Sequence, residues 1–128
     1  METGDLTPKQ RVAITNALEL AREISGRCFA AYVGPLEQGR DSAIAKHAQI
    51  PGAETAVLIA VDPEARTIDI VTGTVAAIDI DDRSCELAIL AMRSNFGADD
   101  LVGGIRSGAM LLAEHARAPR VLHLNEPA

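Results

Sequence analysis

The stretch from Glu54 to Gly73, ETAVLIAVDPEARTIDIVTG, decides the fold. Val57 to Val61 is an unbroken apolar run, the pattern of a strand covered on both faces. Asp62-Pro63-Glu64-Ala65-Arg66 carries turn chemistry, and Thr67 to Val71 resumes with β-branched residues around Asp69. Two strands joined by so short a turn run antiparallel.

Upstream, Thr7 is a good N-cap, Pro8 suits a first helical position, and Gln10 can close a capping box. Ala13, Ala17, Leu20, Ala21 and Ile24 fall on one face of the helix that follows, and Gly26 stops it. Arg27 to Val33 is a short apolar strand ended by Gly34-Pro35. Gly39 to His47 reads as a short helix, closed by Pro51-Gly52. Strand, helix, strand in this order implies a right-handed crossover, with the first two strands parallel.

Downstream of Gly73, TVAAIDIDD reads either as an irregular connector or as one more short strand. Asp81 or Asp82 caps a third helix carrying Cys85, Ile89, Met92 and Phe96 at helical spacing. Asp99 or Asp100 caps a fourth, with Leu101, Ile105, Ala109, Leu112 and Ala116 on its apolar face. Gly104 and Gly108 stand one turn apart on that helix. Each costs about 1 kcal/mol relative to alanine, which signals close backbone packing.

These elements predict a single α/β domain over residues 7–117, in three layers, with a central mixed sheet of about four strands and helices on both faces. Residues 1–6 read as a flexible N-terminus, and residues 118–128 as a C-terminal tail or a short edge strand. The length suits one domain.

Hydrophobic residues make up 48% of the chain but aromatics only 2%, so the core must be aliphatic. The net charge of -6 repels a phosphate backbone, and Phe29, Tyr32 and Phe96 are too scattered to stack bases; nucleic acid is excluded as a partner. No apolar run reaches the roughly 20 residues of a membrane span, and the polar start METGDLTPKQ lacks a secretory pattern, which points to the cytoplasm. Cys28 and Cys85 form no metal-type or redox-type pair and read as buried free thiols.

The candidate chemistry is carboxylate chemistry. Asp79, Asp81 and Asp82 precede the third helix, and Asp99 and Asp100 the fourth. Helix capping is the commoner role for such residues. The functional reading is a hard-cation site for calcium or magnesium, with Asp79-x-Asp81-Asp82 as the nucleus and Glu54 or Asp99 completing the shell. The central glycine and terminal glutamate of a calcium-binding loop are missing. His47 and His115 look like surface residues at helix C-termini, and His123 sits on the tail. No serine stands on a glycine elbow and no glycine loop carries a phosphate-binding lysine, so no catalytic residue is assigned.

The order of features resembles the TPM domain family of bacterial and plastid proteins. A helix ending in Glu23-Ile24-Ser25-Gly26 leads into RCFAAYV. Val57 to Val61 then gives the core strand, Arg66 to Gly73 the strand ending in glycine, Asp81-Asp82 the acidic helix start, and Gly103 to Leu112 the small-residue last helix. A compact actinobacterial branch is the nearest match. The resemblance implies the mixed sheet between helices and, for some members, divalent-metal binding, weak acid phosphatase activity or roles in maintaining membrane complexes. Where the family commonly has Asp-Asn-Gly before the core strand, this chain has Glu54-Thr55-Ala56, which keeps only the charge. Two readings follow: a non-enzymatic domain acting through a protein partner, favoured by the lack of a catalytic constellation, and a weak metal-dependent acid phosphatase.

Overall fold

The structure, a computed structural model, describes residues 6–124. Helix α1 (Pro8–Ser25) starts on Thr7, whose hydroxyl accepts from the Gln10 amide at 3.1 Å while the Thr7 amide donates to Gln10 Oε1 at 2.9 Å. Gly26, at φ 75°, ends it by donating to the Arg22 carbonyl. The buried line on α1 is Ile14, Ala17, Ala21 and Ser25, and Leu20 is exposed rather than inward. Small residues win the inward positions because another alanine-rich helix must approach closely there.

Strand β1 (Cys28–Val33) pairs parallel with β2 (Ala56–Asp62), which pairs antiparallel with β3 (Thr67–Thr72). The order β1-β2-β3 makes β2 central, and every one of its residues is buried. Among the described residues the sheet has three strands, not about four. The ambiguous segment after Gly73 forms a short helix, α3 (Ala76–Asp79), because Val75 donates to the Glu54 carbonyl at 2.8 Å and turns the chain away from the sheet. The other candidate strand is also helical: α5 (Leu101–Leu124) continues through residues 118–124. The remainder of the tail, residues 125–128, and nearly all of the N-terminus expected to be flexible, residues 1–5, lie outside the described residues.

The alternation of side chains along β2 sorts the core. Val57, Ile59 and Val61 meet Ile105, Leu112 and Met92 on the face covered by α1, α4 (Asp82–Gly97) and α5. Leu58 and Ala60 meet Leu36 and Ala43 on the opposite face, under α2 (Arg40–Ala48). Helix α5 lies between α1 and α4 and packs on both. Its glycines explain the closeness to α4: a methyl group on Gly104 would run into the Phe96 ring, and one on Gly108 would lie 2.7 Å from Met92 Sδ.

Gly73 closes the hairpin at its base. Its amide donates to the Ala56 carbonyl at 3.0 Å, and a Cβ there would collide with the backbone carbonyls of Ala53 and Glu54. At the outer edge of β3, Arg40 Nη1 reaches over to the Ile70 carbonyl at 3.3 Å and to Asp69 Oδ1 at 3.4 Å.

Candidate functional site

The carboxylates singled out in the sequence divide between two ends of α4. At its start, Asp81 is the N-cap: Oδ1 accepts from the Ser84 amide at 2.9 Å and from the Ser84 hydroxyl at 2.7 Å. These two bonds, reinforced by His115, hold the Asp81 carboxyl below the ordinary aspartate value. Asp79 forms an ion pair with Arg27, joining the end of α3 to the start of β1. Asp82 is exposed in the first turn of α4, where it complements the helix dipole. Glu54 is exposed in the 3-10 turn Ala53–Thr55 just before β2.

Asp99 lies past the far end of α4, roughly 24 Å away for a helix of 16 residues rising about 1.5 Å per residue. It therefore cannot complete a shell with Asp81 and Asp82. Among the described residues no three His, Cys, Asp or Glu side chains gather as a metal-holding group.

The histidines also depart from expectation. His47 is buried, and its Nε2–H donates to the Ala56 carbonyl at 3.0 Å, fastening α2 to β2. His115 is exposed but lies well inside α5, which runs nine residues further. Both cysteines are free and only partly buried. Burial, with the carboxylates of Asp82 and Asp81 nearby, pushes the Cys85 thiol up to about 11, so it is protonated and unreactive at neutral pH.

A site that the sequence did not disclose lies at the other end of the sheet. A cleft of about 670 Å³ opens between the β2–β3 turn and the corner joining α4 to α5. Val61, Ile68, Phe96 and Leu101 supply apolar walls, and Arg66, Arg93 and Asp99 stand on the rim. Asp62 and Asp100 also border it, but their carboxylates are committed to backbone amides. Asp62 accepts from Leu36 at 2.9 Å and Ala65 at 3.1 Å, which lowers its pKa; Asp100 caps α5 through the Gly103 amide at 2.9 Å. Arg66 (φ 61°) and Asp99 (φ 64°) are the described non-glycine residues with left-handed backbones, and both border this cleft. In the sequence Arg66 reads only as part of a turn and a strand start, and Arg93 belongs to no sequence motif. They meet only because α4 returns its C-terminus to the hairpin turn.

A family model for a domain of unknown function, DUF5130, matches residues 2–113. The chain belongs to the DUF5130 family. Two solved structures show the same fold as this DUF5130 chain. The BA42 protein of the psychrophilic bacterium Bizionia argentinensis is similar with a TM-score of 0.70 and 16% identity, over 87% of this chain and 81% of that one. The N-terminal domain of the cg2496 protein of Corynebacterium glutamicum is similar with a TM-score of 0.65 and 16% identity, over 89% and 76%. At such identity the likeness is one of fold alone. Among the described residues no helix of the DUF5130 domain is long and apolar enough to cross a membrane.

Proposed function

We propose that the chain is a non-enzymatic, TPM-like domain that acts through protein contacts in the cytoplasm, with the outer face of α4 as its contact surface. The observation that carries this is the exposure of Leu87 (44%) and Leu90 (61%), one turn apart on α4, close in sequence to Ile78 on α3 at 77%. Isolated exposed leucines are common, whereas these two are neighbours on one helical face and would supply the apolar centre of such a surface. Kinship with TPM domains is part of the proposal and is supported by the order of elements: a helix ended by Gly26, the β2–β3 hairpin, the Asp81-capped helix and the glycine-bearing α5.

Affinity capture and cross-linking from native extract test the reading. The wild-type chain is expected to retain a specific, saturable protein partner, and a Leu87→Glu, Leu90→Glu variant that keeps its melting temperature is expected to lose it. If wild-type chain captures no such partner, the reading is abandoned.

The rival reading is a divalent-metal-dependent acid phosphatase built on Asp79, Asp81 and Asp82, and it has in its favour that these three are close in sequence, where α3 ends and α4 begins. Metal binding there would draw Asp81 away from Ser84 and Asp79 away from Arg27. Calorimetric titration with calcium, magnesium and manganese separates the two readings. A saturable heat abolished by Asp81→Asn with Asp82→Asn would replace the first reading with the second.

A further inference from the structure

The cleft at the hairpin end has a definite charge pattern once its internal bonds are accounted for. Asp62 and Asp100 each accept hydrogen bonds from backbone amides. Three charges then face the opening without an ion-pair or hydrogen-bond partner among the described residues: the guanidinium groups of Arg66 and Arg93 and the carboxylate of Asp99. They come from three separate segments, the turn after β2, the C-terminal half of α4 and the α4–α5 corner. Between them lie the apolar walls of Val61, Ile68, Phe96 and Leu101.

Each simpler ligand class leaves something unmatched. A simple anion would satisfy the arginines but leave Asp99 unmatched, and a simple cation would satisfy Asp99 but face two arginines. A ligand carrying both charges, separated by an apolar body, satisfies all three rim groups and the walls together. Arginine offers a carboxylate a planar fork of donors, which suits it to the anionic end of such a ligand. The volume falls in the range of small-molecule sites, roughly 300–1,000 Å³. Both left-handed non-glycine residues also border the opening, and strained backbone concentrates where binding demands it.

We propose that this cleft binds a small zwitterion with apolar side chains, of the size class of a dipeptide. The site is separate from the leucines of the α4 surface, so it stands or falls independently of the proposed protein contact.

Titration of isotope-labelled full chain with leucyl-leucine, followed by amide chemical shifts, is the test. The expected result is saturable shifts confined to residues 61–68 and 93–101. N-acetyl-leucyl-leucine, which lacks the ammonium, and leucyl-leucinamide, which lacks the carboxylate, are each expected to bind about tenfold more weakly. Arg66→Gln and Asp99→Asn are exposed polar changes whose own spectra report whether the fold is intact, and each is expected to weaken leucyl-leucine at least about threefold. The Leu87→Glu variant, altered outside the cleft lining, is expected to bind as wild type. No saturable shift in the millimolar range, binding of either blocked peptide as tight as that of leucyl-leucine, or unaltered binding by the Arg66 and Asp99 variants would each overturn the proposal.

Discussion

Asp62 ends the central strand as a buried carboxylate, and its two bonds reach different loops: Leu36 after β1 and Ala65 inside the hairpin turn. Those amides stabilise the ionised form and lower its pKa. Its contribution is therefore fully present above the ordinary aspartate value and is lost as pH falls through the lower, folded value. Asp62→Asn keeps only one acceptor oxygen for the two amides, and at neutral pH it is expected to cost about 1.5–3 kcal/mol. Urea denaturation over a pH series checks both parts: the variant should start lower and lose less stability on acidification. A residual acid slope is expected to remain from Asp81, whose pKa is also lowered. Parallel acid slopes for variant and wild type would contradict this account of Asp62.

At the scale of elements, three glycines make the same demand for space against obstacles of different stiffness. Gly73 faces backbone, the carbonyls of Ala53 and Glu54 at the base of the hairpin. Gly104 faces the Phe96 ring, and Gly108 the thioether of Met92. Alanine at Gly73 is expected to cost at least about 3 kcal/mol, because neither carbonyl can move without opening the 3-10 turn. At Gly108 the flexible methionine can yield, and the gain in helix propensity, about 1 kcal/mol, offsets the crowding. Gly104→Ala should fall between the two. Urea midpoints of the three variants rank the obstacles directly. A Gly73 variant no less stable than the Gly108 variant would mean that the base of the hairpin is not a fixed closure.

Across the whole molecule, the parts legible in sequence were those written in local pattern. The apolar run of β2, the Thr7 capping box and Gly26 each specify their element through near neighbours, and the pairing of β1, β2 and β3 followed from connection length. Long-range packing decided the rest. TVAAIDIDD carried β-branched residues that suit a strand, yet the bond from Val75 to Glu54 turns it into α3. The acidic residues looked like one candidate shell, but a helix of 16 residues holds Asp81 and Asp99 apart. The cleft had no linear signature, since Arg66 and Arg93 are 27 positions apart and meet only through the fold.

A sheet ordered β1-β2-β3 leaves two strand edges open, one on β1 and one on β3, and other copies of the chain could extend it there. Along β3, Arg40 lays a charged, hydrated group across the Ile70 carbonyl that a foreign strand would need. This makes an exposed arginine on α2 a guardian of solubility more than of folding. Arg40→Ala is expected to shift the melting temperature little and to promote concentration-dependent association in sedimentation velocity. A variant that stays as monodisperse as wild type would show that the strand is protected by other means. The thinness of the sheet thus sets a problem of crowding that one side chain, borrowed from the neighbouring helix, is placed to meet.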